Sequence, residues 1–479
     1  MPDRMSFDLQ LGSALPTRQV PRDAADPLRV LVLGAFGTRS ADTPDAVPAP
    51  VSLDIDNLDA VMRRMAPRLQ LSLEPDQAAL SLRFESLEDF HPDALYRRLD
   101  VFAELRALRA RLSNPQTFEA AAAEFRPIAP VSAATPKAPA EADSDMLSRL
   151  LGARPSAAPV SHVGLAGFIN NLVAPYITPD NRARQSAYLD ALDQVGATLL
   201  RGLLHHPDFQ ALEASWRALW DLISRSDESM QIQLLDIDKA ALGNDLLQGP
   251  VEASRLYQRL IAQGTDIPGT PPWSLLIGNY AFGTAPDDIP LLAALAHLAA
   301  HCGAPFVAAA DPMISGESPA SDVDRHAQWQ RLRHSALAPW LGLALPRVLL
   351  RLPYGAGTDP IESFTFEELD AQRRHGDYLW GNPAFACARL ICAAFQEDGW
   401  DMQPDAHRTL DDLPAHIYTV NGTREMQACA EVYLNEHEGD ELAAQGFITL
   451  LSMKGRPEAR LLRFQSIAEP PLALRGAWA

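Results

Sequence analysis

Leu28-Arg-Val-Leu-Val-Leu33, closed by Gly34-Ala-Phe-Gly37, is the stretch from which the fold is read. A short apolar run bounded by glycine fits a β-strand. Upstream, Phe7, Leu9 and Leu11 alternate as a half-buried strand does. Downstream, Val51-Ser-Leu-Asp-Ile-Asp-Asn57 leads into a helix on which Leu58, Val61, Met62 and Met65 share one face, with Pro67 ending it. Leu80, Leu82 and Phe84 alternate again. Asp89 is expected to cap a further helix with Pro92 in its first turn, and a helical pattern runs to about Phe125.

Residues 126–163 are dominated by Pro and Ala, a composition that buries too little apolar area to offset ordering, and they read as a flexible linker. Ser144 to Leu151 interrupts it: Met146, Leu147, Leu150 and Leu151 would form the apolar stripe of a short helix, marginal in water unless docked. Beyond 164 the pattern predicts helices at Asn181–Leu204 and from Pro207, where Phe209, Leu212, Trp216, Leu219 and Ile223 share a face. A strand at Gln231–Leu235, helices at 238–247 and 252–263, and a strand Trp273–Ile277 leading into Gly278-Asn-Tyr-Ala-Phe-Gly283 follow. Then come a helix at 286–301, a strand Pro305–Ala310, a helix Pro383–Phe395 and, from about 416, strand, helix, strand and an extended tail. Strands alternating with helices predict an α/β fold.

The chain has 479 residues, so two or three domains are expected. Lys and Arg number 41 against 61 Asp and Glu, a net charge of -20, which disfavours a nucleic-acid partner. No run is apolar enough to span a membrane, the N-terminus has no secretory core, and cysteines 302, 387, 392 and 429 form no C-x-x-C pair. The expectation is a cytoplasmic protein with reduced thiols.

Enzyme signatures are missing. There is no phosphate loop, nucleophile elbow or dinucleotide fingerprint. His297-Leu-Ala-Ala-His301 has a spacing a metal could use, but a zincin-type site needs Glu where Leu298 stands; on so apolar a helix, packed histidines are the ordinary reading, and a metal-dependent enzyme is only a third hypothesis. His205-His206 fits a helix–helix junction, and Asp287-Asp288 fits a helix start. In Leu345-Pro-Arg-Val-Leu-Leu-Arg-Leu-Pro-Tyr-Gly355, Arg347 and Arg351 are an even number of positions apart and would face one side of a strand; internal carboxylate partners explain them better than an anion clamp. Trp216, Pro346, Arg347, Arg351 and Tyr354 are expected to be architectural. No catalytic, cofactor or metal residue is assigned.

Two stretches resemble a known family. Leu28-Arg-Val-Leu-Val-Leu-Gly-Ala-Phe-Gly-Thr-Arg39, Val51-Ser-Leu-Asp-Ile-Asp-Asn-Leu-Asp-Ala-Val-Met62 and Phe84-Glu-Ser-Leu-Glu-Asp-Phe-His-Pro-Asp93 are similar to the small subunit of the type VI secretion contractile sheath. Leu203-Leu-His-His-Pro-Asp-Phe209 and the run to Leu219, Leu276-Ile-Gly-Asn-Tyr-Ala-Phe-Gly283, Pro346 to Gly355, Tyr378-Leu-Trp-Gly-Asn382 and Gly446-Phe-Ile-Thr-Leu450 resemble its large subunit, in family order.

The resemblance implies a phage-tail-sheath-like mixed α/β core built from both segments. These are a small-subunit-like domain at 1–125 and a large-subunit-like domain at 164–479, joined by the 126–163 linker. It implies a non-catalytic structural subunit whose partners are other sheath subunits or copies of itself, the inner-tube protein, baseplate components and a recycling AAA+ ATPase, with no nucleic acid and no membrane insertion. The large-subunit match stops shortly after Lys454-Gly-Arg456, short of a segment the family uses to link neighbours, so the alternative is an adaptor or assembly factor at the baseplate or a sheath end. In the family's large subunit a short N-terminal helix is the handle for the ATPase, and Met146–Leu151 stands where it would lie.

Overall fold

The computed structural model describes residues 23–37, 47–72, 79–124, 181–262, 271–315, 323–370 and 372–478. The strand expected around Phe7 to Leu11, the linker and the Met146–Leu151 island lie outside these residues.

The strands are β1 (Leu28–Gly34), β2 (Val51–Leu53), β3 (Arg68–Leu71), β4 (Leu80–Arg83), β5 (Met230–Asp236), β6 (Leu275–Phe282), β7 (Phe306–Ala310), β8 (Leu341–Leu345), β9 (Val348–Leu349), β10 (Trp380–Gly381), β11 (Thr409–Leu410), β12 (Ile417–Val420), β13 (Thr423–Met426), β14 (Phe447–Ser452) and β15 (Ala459–Leu461). Nine of them form one sheet in the order β11-β15-β14-β8-β7-β6-β1-β5-β2. The stretch from β14 to β5 is parallel throughout, and β2, β15 and β11 close the edges antiparallel. The pairs β3–β4, β9–β10 and β12–β13 stand apart from it.

Both segments build this sheet. β1 lies between β5 and β6, with Val30 opposite Ile232 on one side and Leu275 on the other. All seven of its residues are buried, as an inner strand of a parallel sheet requires. Val30 and Val32 point to one face and join the core under helices Leu58–Met65, Ala103–Ser113, Asn181–Leu204, Pro207–Ser224 and Pro383–Asp398. Leu31 and Leu33 point to the other, under helices Lys239–Leu246, Asp288–Cys302 and Val323–Arg333.

The expected α/β alternation is present, with local differences. The strand expected at Trp273–Ile277 is β6, which runs on to Phe282; Gly278 lies inside it, where a Cβ would collide with the Phe306 ring. Asp89 does not cap helix Pro92–Arg98. It sits in the 3-10 turn Leu87–Phe90 that Ser86 caps, and the imidazole of His91 caps the helix by accepting from the Asp93 N–H at 3.2 Å. The expected helix at 252–263 is broken into a 3-10 turn Val251–Ala253, a helical turn Arg255–Tyr257 and a π-turn Gln258–Ala262; the Asp245 carboxylate takes the N–H groups of Arg255 and Leu256 and fixes the break. The strand expected near 416 is a hairpin, β12–β13. Between the end of β8 at Leu345 and Gly355 the only strand is the two-residue β9, so Arg347 and Arg351 do not share a face; prolines at 346 and 353, which cannot donate to a ladder, bracket the run, and the Leu345–Pro346 bond is cis.

Candidate functional site

The feature most worked into the chemistry of this chain is the joint between its two segments. Trp216, fully buried, donates its indole N–H to the Phe36 carbonyl at 3.1 Å, and the two rings meet edge to face at 5.4 Å. The N–H groups of Phe36 and Gly37 donate to the Asp236 carboxylate at 2.7 and 3.1 Å, holding the turn after β1 against the end of β5. Phe84 and Phe90 stack at 4.2 Å, and both meet Phe209 edge-on, at 5.9 and 5.6 Å. Arg109 grips Asp193 with two bonds of 2.8 and 3.2 Å, and the Trp400 indole donates to the Asp26 carbonyl at 2.9 Å.

Asp93 reaches across the joint as well. It accepts from the Glu362 N–H at 2.8 Å, the Ser363 N–H at 3.0 Å and the Ser363 hydroxyl at 2.5 Å. Burial alone would raise its pKa, but these bonds and nearby His91 outweigh burial and hold the carboxyl below its ordinary value.

Beneath the joint lies a buried ionic network. Glu213, on helix Pro207–Ser224, accepts from Arg351 at 2.8 Å and Arg217 at 2.7 Å. The same Arg351 guanidinium forks to Glu368 at 2.7 and 2.9 Å. It also lies 4.2 Å over the Tyr354 ring, whose hydroxyl accepts from Arg217 at 2.9 Å and whose N–H donates to Glu368 at 2.7 Å. Burial would pull the arginine down and the glutamate up; two carboxylates facing two guanidinium groups reverse both, so Arg351 is held above and Glu213 below its ordinary value. Burial pushes the Tyr354 hydroxyl up to about 12. Charges paired this way hold the elements of the joint in register.

The other singled-out residues are dispersed. Arg347 lies at the surface, its side chain 51% exposed, paired with Glu431 at 2.7 Å. His205 faces Asp377 at 3.3 Å and Glu368 at 3.8 Å, and burial, outweighing both, keeps its imidazole below the usual range; His206 caps the next helix through the Asp208 N–H. Asp287 and Asp288 do stand at a helix start, Asp287 in the N-cap position without a side-chain cap bond and Asp288 in the first turn, where it accepts from the Gly283 N–H at 2.5 Å and pairs with Lys239 at 2.6 Å. The four cysteines are buried, and burial pushes the thiols of Cys302, Cys387 and Cys392 up to about 12, away from the reactive thiolate. His297 and His301 do come together, ring centroids 4.4 Å apart, and the fold adds Glu252 from a separate turn, 3.3 Å from His297. No spacing rule in the sequence could supply that third residue.

Comparison with known proteins covers both segments. Residues 186–468, more than half of the chain, match the family described as VipB, tail sheath N-terminal domain, and residues 14–126 match the type VI secretion system VipA family. The chain is 33% identical over 301 residues to the type VI secretion system sheath protein TssC1 of Pseudomonas aeruginosa, covering 58% of this chain and 60% of that protein. It is 32% identical over 73 residues to the sheath protein TssB1 of the same organism, covering 14% of this chain and 42% of that protein. It thus spans less than two thirds of the length of each of these relatives.

Proposed function

Because the chain belongs to the type VI secretion tail sheath family, we propose that it is a non-catalytic structural subunit of a contractile sheath or sheath-like assembly, with the equivalents of two sheath proteins fused in one polypeptide. The observation that carries this reading is the position of β1: a strand from the region matching one sheath protein is hydrogen-bonded on both sides by strands from the region matching the other. Neither region completes the parallel sheet without its partner. Joining them through residues 126–163 fixes their ratio at one to one and raises their effective concentration to ~mM values.

In this reading residues 1–125 and 164–479 are the two lobes of one core, and Trp216, Pro346, Arg347, Arg351 and Tyr354 serve its architecture. The partners are copies of itself or other sheath subunits, and beyond them an inner-tube protein and baseplate components. Among the described residues no helix is long and apolar enough to cross a membrane; a cytoplasmic site of assembly is part of the sheath reading. Met146, Leu147, Leu150 and Leu151 would offer the recycling ATPase a helix to lay into a groove. A peptide of residues 141–154 is expected to bind that ATPase's N-terminal domain; no binding at high micromolar concentration, where a genuine large-subunit peptide binds, removes this role.

Electron microscopy of the purified full-length chain tests the main reading. Tubules or rings are the expected result. Uniformly small particles would replace it with the adaptor reading, in which the same fold sits at a sheath end or baseplate without polymerising.

A further inference from the structure

We propose that Glu252, His297 and His301 bind a divalent transition-metal ion of the zinc type, which would staple the turn Val251–Ala253 to the helix Asp288–Cys302. Among the described residues this is the one group of three potential ligand side chains whose donor atoms lie within 4.8 Å of one another. Two features of the fold create it. The four-residue spacing puts both imidazoles on one helix face, one turn apart. The break at Val251–Ala253 then brings a carboxylate over them, its Oε1 3.3 Å from Nε2 of His297.

The hydrogen bonding of His301 favours a ligand role. Its Nδ1 lies 2.9 Å from the carbonyl oxygen of His297. A carbonyl can only accept, so Nδ1 carries the proton and the lone pair is left on Nε2, the tautomer a metal needs. Tyr257 packs edge-on against this ring at 5.5 Å and limits its rotation.

The donor set suits the ion. Two imidazoles and one carboxylate match zinc, with bonds of ~2.0–2.2 Å that put donor atoms ~3.3 Å apart in a tetrahedron. The His297–Glu252 pair already has that separation. Glu252 is half exposed, so its side chain can swing to complete the set, and its negative charge offsets part of the ion's. A fourth position would open to solvent. The role proposed for such a site is that of a staple between the two elements.

The test uses the full-length protein stripped of metal by a chelator, titrated with ZnCl2 by calorimetry and with CoCl2 by visible absorption. The expected result is one equivalent bound per chain, with the d–d spectrum of a low-coordinate cobalt site and a raised midpoint of thermal unfolding. His301→Ala and Glu252→Gln should each weaken binding by roughly tenfold or more. No saturable one-to-one binding, or binding unchanged in Glu252→Gln, overturns the site. Because Glu252 is half exposed, that variant decides the matter even if the histidine variants fail to fold.

Discussion

The indole of Trp216 and the carbonyl of Phe36 are joined by a 3.1 Å hydrogen bond that crosses from one segment of the chain to the other. The bond and the edge-to-face ring contact make Trp216 the point where helix Pro207–Ser224 locks the turn after β1. Trp216→Ala removes the largest fully buried side chain of this helix, at an expected cost of ~3–5 kcal/mol from lost transfer energy plus a cavity. The measurement is the denaturant midpoint at unchanged slope; an unaltered midpoint would take Trp216 out of the core.

Cutting the chain within 126–163 should leave the two parts associated. β1 has backbone bonds to both neighbours, and Arg109–Asp193, Asp93–Ser363 and Trp400–Asp26 cross the same joint. With a protease site engineered there, both fragments should elute together from a sizing column. Clean separation would mean that the lobes do not share a core.

Arg351 and Arg347 should part company under mutation. Arg351→Met takes the shared guanidinium from two carboxylates, each at most 1% exposed, leaving Glu213 only Arg217 and Glu368 without a facing arginine, and is expected to cost ~3–5 kcal/mol. Arg351→Lys should be nearly as harmful, since a compact ammonium with three donors cannot replace the paired bonds the planar guanidinium makes to each of the two carboxylates. Arg347→Ala breaks a surface pair and should change stability by less than ~1 kcal/mol. Equal effects would contradict the different burial of the two.

Acid should loosen the joint through Asp93. Its folded pKa lies below the unfolded one, so between the two the unfolded chain binds more protons. Its contribution to stability is therefore full above about pH 4 and declines as pH falls through the folded value. Asp93→Asn should lower stability near neutrality and flatten its fall below about pH 4, measured by denaturant unfolding at each pH. A parallel profile in variant and parent would assign the acid sensitivity elsewhere.

Gly278→Ala tests the tight packing of β6 on β7. The added methyl would meet the Phe306 ring at 2.3 Å, inside a buried sheet. Overpacking of this kind costs ~1–3 kcal/mol. A neutral substitution would show that the ring can retreat.

Much of the fold is legible because its signals are local. The long helix Asn181–Leu204 and the apolar run at Leu28 follow from periodicity alone. The misreadings share a cause: a residue type with two physical uses. Asp89 serves a 3-10 turn, while a histidine caps the helix. The even spacing of Arg347 and Arg351 means a shared face only along a regular strand, and β9 is two residues long. The partners of Arg351 are 138 and 17 residues away in sequence, and no periodicity encodes such pairings.

The place of β1 also bears on synthesis. The strand leaves the ribosome before either neighbour exists, and at ~5–20 residues per second Met230 and Leu275 follow only on the order of ten seconds later or more. During that interval an apolar strand with two open edges waits for company, an invitation to aggregate. Carrying both neighbours on the same chain supplies the partners of β1 in equal number and keeps them within reach.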